Sequence, residues 1–144
     1  MTTTIRLAVP QFGSSSGGTP RVVVEERDPS LRRLAGDHLR RSGFEVASCG
    51  GPEQLSRRRC PLEEGGRCPA IVDADVVVSS LRSDTPRHVA VVGALRRRYP
   101  GTPLLIVAPP LIAHRHRRLL EGCHVVPRYG RSELARAIDS LLVG

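Results

Sequence analysis

Two valine-rich runs that end in or contain acidic residues constrain this chain more than any other feature. The first run is Arg21–Glu25, which is followed directly by Glu26. The second is Pro69–Val78, which contains Asp73 and Asp75. Apolar runs of this length predict strands that are buried on both faces, as in a parallel sheet. Carboxylates beside such strands are costly to bury unless they bind a cation or a partner, so we expect a sheet edge with chemical significance.

Segments typical of strands and helices alternate five times along the chain. Asp28-Pro29 is a typical helix start, because an aspartate can cap the first turn and proline suits its first position. The predicted strands are Arg21–Glu25, Phe44–Ser48, Ala70–Ala74, Leu104–Ala108 and His124–Val126. The predicted helices begin at Pro29, Pro52, Pro86, Leu111 and Ser132, and end near Gly43, Arg59, Arg98, Glu121 and Val143. This alternation predicts an α/β fold, a doubly wound, five-stranded parallel sheet.

The length of 144 residues and the composition indicate a chain with one domain. We expect residues 1–20 to be a flexible N-terminal tail, because glycine, serine and threonine dominate them, and residues 21–144 to form the domain. The sequence has no secretory signal and no apolar run of about 18 residues, which favours a cytoplasmic protein. Its four cysteines lack the close spacing of a zinc site, so we expect reduced thiols and no bound metal.

The basic residues are all arginine, 22 in number, and the formal net charge is +8. Because arginine pairs well with phosphate, nonspecific nucleic-acid binding is one functional alternative. The arginines are spread over several segments, however, and the few aromatic residues offer little stacking surface for single strands. No glycine-rich phosphate loop follows a predicted strand, and no nucleophile–histidine pair lies at a strand end, so we do not expect an enzyme.

The order of these segments resembles the receiver domain of bacterial response regulators, with its CheY-like, flavodoxin-like (βα)5 fold. The likeness extends over about residues 21–143. It rests on the stretches VVVEERDPSLRRL, SGFEVASCGGPEQL, PAIVDADVVV, RRRYPGTPLLIVA and EGCHVVPRYGRSELARAI. The resemblance implies a role in two-component signal transduction or a phosphorelay, with a histidine kinase, a regulator or an output protein as partner.

The resemblance also implies a set of site residues. In that family, two acids after the first strand hold Mg²⁺, and an aspartate at the end of the third strand accepts a phosphoryl group. On this chain the acid pair falls on Glu26 and Arg27, with Asp28 just beyond. The acceptor position falls on Asp75, and Asp73 is expected on the same face of that strand. Glu26, Asp28 and Asp73 are therefore the predicted acidic pocket around Asp75.

Several other positions depart from the family pattern. The switch positions are Ala108 in place of a hydroxyl, Pro127 in place of a lysine, and Tyr129 at the switch aromatic. A guanidinium next to a divalent ion is repelled by it, so Arg27 argues against a metal. We expect Arg27 to pair with Asp75 or Glu26 as a permanent cation in place of metal or lysine, and Arg128 to act similarly.

These departures predict an atypical, degenerate receiver that acts by protein–protein contact, independently of Mg²⁺-dependent phosphorylation. No cofactor is expected, and Mg²⁺ is the one ion that the resemblance would allow. By resemblance, the partner surface comprises His114, Arg115, Arg117, Arg118 and Arg131, and a homodimer through the last two helices is a second form of contact. Two alternatives stay open: a conventional receiver phosphorylated on Asp75, and an arginine-rich nucleic-acid-binding module.

Overall fold

A computed structural model describes residues 9–12, 18–52, 60–130 and 132–143 of the chain. Strands and helices alternate through these residues, and the strands form one parallel sheet in the order β2-β1-β3-β4-β5. The strands are β1 (Arg21–Glu25), β2 (Glu45–Cys49), β3 (Val76–Ser80), β4 (Leu104–Val107) and β5 (His124–Val126). The helices are α1 (Pro29–Arg41), α2 (Pro69–Val72), α3 (Pro86–Arg98), α4 (Pro110–Arg115) and α5 (Glu133–Val143). The predicted doubly wound α/β fold is confirmed.

The valine-rich strands are buried because helices cover both faces of the sheet. Val22 and Val24 belong to the core that also includes Leu39 of α1 and Ile138 of α5. Val23, which points to the opposite face, belongs to a second core on the α3 side. Each fully buried valine stabilises the fold by roughly 1.5–3 kcal/mol, so these runs supply much of the driving force for folding.

The first strand-to-helix junction forms as predicted. The Asp28 side chain accepts hydrogen bonds from the backbone N–H groups of Ser30 and Leu31, at 2.8 and 3.0 Å. Pro29 begins the helix, where its missing N–H costs nothing. After Arg41 the chain turns through Gly43, whose φ of +94° suits glycine, and enters β2. This junction fixes the residues between β1 and α1 at the carboxyl edge of the sheet.

The prediction of the third strand over Ala70–Ala74 is wrong. Pro69–Val72 forms a single helical turn, and the strand begins only at Val76. Short apolar runs do not distinguish a strand from a helix by periodicity, and a proline at the first position favours a helical turn. The three consecutive valines that follow have stiff β-branched side chains, which favour the strand. The strand therefore ends at Ser80, six residues later than predicted.

The fourth helix is shorter than the predicted Leu111–Glu121. It ends at Arg115, and successive turns continue to Gly122, which has a φ of +82°. His116 leaves the helical conformation while its ring contacts Asp84, in the segment between β3 and α3, at 2.8 Å. In the following turns the backbone carbonyl of Leu119 accepts a hydrogen bond from the Arg96 guanidinium. These side-chain contacts stabilise a non-helical path where the sequence pattern favours a longer helix.

Some predictions concern residues outside the described ranges. Most of the predicted Pro52–Arg59 helix and Arg131 lie there, as does most of the predicted tail. Of the tail, Val9 and Phe12 pack against the α3-side core, and the Phe12 ring centroid lies 5.4 Å from the Arg21 guanidinium carbon. The division at residue 20 stays a prediction. Among the described helices, none combines the length and apolar character of a bilayer span.

Candidate functional site

Several polar side chains meet at the carboxyl edge of the sheet. From β1 the chain moves to one side of the sheet to form β2, and then to the other side to form β3, β4 and β5. Open α/β sheets form a crevice at such a switch point, which here lies between β1 and β3. Glu25 pairs in register with Ser79, and Glu26 and Ser80 come next on their strands. Because side chains alternate along a strand, Glu25 and Ser79 face the α3 side. Glu26 and Ser80 face the α1 and α5 side, where Arg82 and Tyr129 join them. We call Glu26, Ser80, Arg82 and Tyr129 the edge site.

Glu26 is buried and paired with an arginine. Only 1% of its side chain is exposed, and its Oε1 accepts a hydrogen bond from Nε of Arg82 at 2.8 Å. Its backbone carbonyl accepts a second arginine donor, Nη1 of Arg32, at 2.9 Å. Arg82 itself is 38% exposed. A buried carboxylate requires a hydrogen-bonded counterion, and Arg82 supplies it from the chain that follows β3.

Tyr129 brings an unsatisfied hydroxyl into the edge site. Its ring packs against the α1 and α5 core, and its hydroxyl is buried without a hydrogen bond of ordinary geometry to any described residue. The hydroxyl nevertheless lies close enough to Ser80 for that side chain to affect its pKa. Burial raises the pKa of the phenol well above its usual value, and the negative charges of Glu26 and Glu25 add to the rise. Tyr129 is therefore a neutral donor, and its neighbour at the edge is the Ser80 hydroxyl, outside ordinary hydrogen-bond geometry.

Glu25 occupies a different environment on the other face of the sheet. Its Oε1 accepts a hydrogen bond from the Ser79 hydroxyl at 3.4 Å, whereas its buried Oε2 has no partner among the described residues. The backbone of Gly51 packs so closely that an added Cβ would lie 2.9 Å from Cδ of Glu25. Burial raises the pKa of Glu25 from 4.5 to about 8, and the nearby charge of Glu26 contributes. Glu25 is therefore mostly protonated at neutral pH.

Burial also keeps the neighbouring thiol unreactive. Cys49 is the last residue of β2 and lies opposite Glu25 in register. Burial, and secondarily the proximity of Glu25, raises the pKa of the Cys49 thiol. Because the thiolate is the reactive form, the structure favours an inert cysteine at this position.

Asp75 does not join the edge site, which corrects the prediction that it ends the third strand. Its Oδ2 accepts the backbone N–H of Arg21 at 2.7 Å, and its own N–H donates to the Arg21 carbonyl at 2.8 Å. These contacts lie at the amino ends of β1 and β3. Since a strand rises about 3.3 Å per residue, roughly 16 Å of sheet separates Asp75 from Glu26. The position implied for the phosphoryl acceptor falls instead on Ser80, the last residue of β3.

Asp73 and Arg27 also differ from the prediction. Asp73 ends α2 and is exposed at the same amino edge of the sheet as Asp75. Arg27 is exposed after β1, at the opposite edge, so its expected pairing with Asp75 is wrong. Glu26 forms an ion pair with Arg82, which was not among the residues predicted from the sequence. Arg82 follows the three valines after Ser79, Ser80 and Leu81, so its position at the edge could be found only by placing the strand correctly.

The remaining predicted site residues follow β1, β4 and β5. Asp28 caps α1, and its hydrogen bond from the Leu31 N–H lowers the pKa of the carboxyl. Ala108 is buried after β4, with its N–H donating to the Val126 carbonyl at 2.9 Å. Pro127 and Arg128 are exposed after β5. Their proposed roles in a switch are not tested by this arrangement.

Part of the predicted partner surface is held by contacts within the chain. His114, Arg117 and Arg118 are exposed on α4 and the turns after it. Arg115 is also exposed, but its Nη1 donates to Oδ2 of Asp84 at 2.7 Å. His116 lies 2.8 Å from the same oxygen, and together with Arg115 it lowers the pKa of Asp84 to about 2. These contacts fix the end of α4 against the segment that follows β3.

The edge does not offer a suitable site for Mg²⁺. Magnesium requires several oxygen ligands, usually including ionised carboxylates. Glu26 is already paired with Arg82, Glu25 is mostly protonated and faces the other side, and Asp28 caps α1. Ser80 provides only a hydroxyl at the end of β3. Within the described ranges, no three metal-binding side chains come together.

Comparisons with known proteins support the fold and not a closer relationship. No family model and no curated protein matches the sequence. Among solved structures, the chemotaxis protein CheY4 of Vibrio cholerae has 17% identity and a TM-score of 0.61, with coverage of 87% of this chain and 100% of that one. The receiver domain of a Syntrophus aciditrophicus signal transduction histidine kinase has 14% identity and a TM-score of 0.64, with coverage of 88% and 92%.

A third similar structure is a complex with Mg²⁺-BeF. Response regulator protein TrrA of Thermotoga maritima, in complex with Mg²⁺-BeF, has 19% identity and a TM-score of 0.59, with coverage of 86% and 100%. This chain has a CheY-like receiver fold. In this receiver fold, the end of β3 is occupied by Ser80, and the buried acid after β1 is paired with Arg82.

Proposed function

We propose that this chain is a receiver-like signalling module that acts by protein–protein contact, independently of Mg²⁺-dependent phosphorylation of an aspartate. The observation that carries the proposal is the ion pair between Arg82 and the buried Glu26, beside Ser80 at the end of β3. Arg82 gives the edge a permanent positive charge, which in the resembling family comes from a metal ion and a lysine. In this proposal the chain is an atypical receiver.

The chemistry of the edge supports this proposal over phosphoryl transfer. A serine hydroxyl attacks phosphorus efficiently only when a neighbouring base takes its proton. Glu26, the carboxylate on the same face of the sheet as Ser80, is already hydrogen-bonded to Arg82. Phosphoryl transfer to a carboxylate also requires cations around the transferring oxygens. Asp75, the acceptor of the conventional alternative, is instead bonded to the Arg21 backbone at the other edge of the sheet.

The surface proposed for the partner comprises α4, the turns after it, β5 and α5. Leu111 at the start of α4 is 69% exposed, although large apolar side chains are usually buried. Exposed cationic or ionisable side chains flank it at His114, Arg117 and Arg118. Arginine beside an exposed apolar anchor is typical of protein interfaces. We therefore propose a partner with an apolar contact and an acidic rim, such as a kinase, a regulator or an output protein. A second copy of this chain is the less favoured partner, because it would bring the same positive charges.

The proposal is tested with amide NMR spectra recorded with millimolar Mg²⁺ alone and then with Mg²⁺ and beryllofluoride, which stands in for an aspartyl phosphate. A parallel sample with beryllofluoride and EDTA is the reference. We expect Mg²⁺ to cause no shifts around Ser80 and Tyr129, either alone or beyond those seen with beryllofluoride in EDTA. Mg²⁺-dependent shifts there that disappear in Asp75→Ala would establish the conventional alternative. Mg²⁺-dependent shifts that persist in Asp75→Ala but disappear in Ser80→Ala would mean that the edge itself accepts the analogue with the metal. Either pattern would overturn the proposal.

A further inference from the structure

We propose that the edge site binds a phosphate-bearing small anion without a metal ion, with Arg82 and the rim residue Arg128 as charged ligands. The hydroxyl groups of Tyr129 and Ser80 complete the set of donors. This inference goes beyond the proposed docking function and does not depend on it. It concerns a bound ligand and not a phosphorylated side chain.

The charges at the carboxyl edge favour an anion. Four arginines lie at or near this edge: Arg27 and Arg32 around the start of α1, Arg82 after β3, and Arg128 after β5. The carboxylates at this edge are Glu26, Asp28, Asp84 after β3 and Glu133 at the start of α5, with Glu25 on the other face of the sheet. Asp28 caps α1, and Asp84 is paired with Arg115 and His116. Because these two carboxylates are held by other donors, Arg82 and Arg128 are the cations that would attract an anion into the crevice.

Arg82 is held in a geometry that suits bidentate binding. Its Nε donates to Glu26 at 2.8 Å, which orients the guanidinium group. In the parts of the chain that the structure describes, its two Nη atoms make no hydrogen bond, and 38% of the side chain is exposed. A guanidinium presents such paired donors in the fork that matches two phosphate oxygens. Glu26 is thus a positioning residue, and Arg82 is the residue that would contact the ligand.

Tyr129 provides an independent observation that points to a ligand. Its buried hydroxyl lacks a hydrogen-bond partner within the described residues, although it approaches Ser80. Native proteins rarely leave a buried donor unsatisfied, because each one carries a desolvation cost. A phosphate oxygen in the crevice between β1 and β3 would accept this hydrogen bond. The crevice at the switch point of the sheet is also where ligands bind in open α/β folds.

Inorganic phosphate and a phosphomonoester present the same group, and the experiment distinguishes them. The full chain is titrated with inorganic phosphate in the presence of EDTA, at constant ionic strength maintained with chloride, and followed by amide and arginine side-chain NMR. We expect saturable shifts centred on Ser80, Arg82 and Tyr129. A parallel titration with adenosine monophosphate tests the phosphomonoester. Tighter binding of the nucleotide would assign the site to organic phosphates, and equal binding would assign it to the phosphate group alone.

Variants decide whether the binding is specific. Arg82→Gln should weaken phosphate binding at least about tenfold, and Arg128→Gln and Tyr129→Phe about threefold each. Arg33→Gln is the matched control, because Arg33 is an exposed arginine on α1 outside the edge site, and it should not change the affinity. Since Arg82→Gln also leaves Glu26 without its counterion, the Arg128 and Tyr129 variants provide the test if that protein does not fold.

The inference is overturned if phosphate produces no saturable shifts. It is also overturned if the shifts spread over all arginines, or if Arg33→Gln weakens binding as much as Arg128→Gln. These outcomes leave the proposed function intact, because that proposal is judged by Mg²⁺ and beryllofluoride. Conversely, a response to Mg²⁺-beryllofluoride with no response to phosphate alone would overturn both proposals, in two separate measurements.

Discussion

Two adjacent glutamates at the end of β1 reach opposite faces of the sheet and differ in their partners. Both are buried, with 6% of Glu25 and 1% of Glu26 exposed. Glu26 contacts the guanidinium of Arg82 at 2.8 Å, whereas Oε1 of Glu25 accepts a longer hydrogen bond, 3.4 Å, from the uncharged hydroxyl of Ser79. Burial raises the pKa of Glu25 to about 8. The comparison shows that the partner, more than the degree of burial, determines how each face accommodates a carboxyl group.

The neighbours of each carboxyl group explain the difference. On the Glu26 side, the chain that leaves β3 carries an arginine long enough to return to the edge. On the Glu25 side, the chain that leaves β2 presents the backbone of Gly51, which fits against the carboxyl group but offers no counterion. Sequence neighbours with the same side chain therefore take different roles. One keeps a permanent cation at the edge, and the other holds a proton.

Removal of the arginine should have the largest effect. Arg82→Gln leaves the buried Glu26 without its ion pair and should destabilise the fold by about 4 kcal/mol, since breaking a buried pair strands the remaining charge. The measurement is urea unfolding at pH 7, followed by circular dichroism. The double variant Glu26→Gln with Arg82→Gln should recover most of this loss, because it buries no charge.

The matched control for this prediction is Arg33→Gln, an exposed arginine on α1, which should change the unfolding free energy by less than about 0.5 kcal/mol. If Arg82→Gln behaves like this control, the ion pair contributes nothing to the fold. The contrast between the two glutamates would then have no energetic basis.

Glu25 should make the stability depend on pH in the opposite way to an ion-paired carboxylate. Its pKa is raised from 4.5 to about 8 in the fold, so the folded state binds the proton more tightly than the unfolded state does. Its contribution is therefore most favourable below pH 4.5 and is lost as the pH rises through this range. Between pH 5.5 and 7.5 the loss should be about 2.5 kcal/mol.

Glu25→Gln isolates this effect, because the amide does not titrate and keeps the shape of the protonated carboxyl group. The difference in unfolding free energy between the variant and the unaltered protein should shift in favour of the variant by about 2.5 kcal/mol from pH 5.5 to 7.5. A difference that stays constant with pH would mean that Glu25 titrates in the fold as it does in the unfolded chain.

Gly51→Ala should test the close packing against Glu25. The backbone of Gly51 has a φ of +76°, and an added Cβ would lie 2.9 Å from the carboxyl carbon. We expect a loss of about 2 kcal/mol in unfolding free energy, from backbone strain together with the clash. Gly43→Ala is the control, because its φ is +94° and nothing lies near its added Cβ. Equal losses in the two variants would mean that the carboxyl group moves aside at little cost.

Much of the fold could be predicted from the sequence because its signals are local. β1 and β5 have their predicted bounds, and α3 does as well, since Pro86 opens that helix and Pro100 follows its end. The third strand failed because PAIV and VVVSS are both short apolar stretches next to acids. Neither periodicity nor propensity shows which of the two stretches forms the strand, since a proline can also begin a helical turn.

The candidate site was harder to predict because it depends on tertiary placement. Because β3 lies six residues later than predicted, Asp75 is at the other end of the sheet and Ser80 is at the edge. The pairing of Glu26 with Arg82 joins residues 56 positions apart, and no local pattern marks it. The sequence predicted an arginine beside an acidic edge and named Arg27, which is adjacent in sequence. It did not indicate Arg82, which is adjacent to Glu26 only in the fold.

The smallest effect should come from Asp75, at the amino edge of the sheet. Asp75→Ala removes the carboxylate that accepts the Arg21 N–H, so amide shifts should be confined to the neighbourhood of Arg21 and the start of β3. Since roughly 16 Å of sheet lies between this contact and Glu26, the amides of Ser80 and Tyr129 should not move. Ser80→Ala, at the opposite end of the same strand, should give the reverse pattern. Shifts at Tyr129 in Asp75→Ala would show that the two ends of β3 are coupled, and Asp75 would then regain a role at the edge.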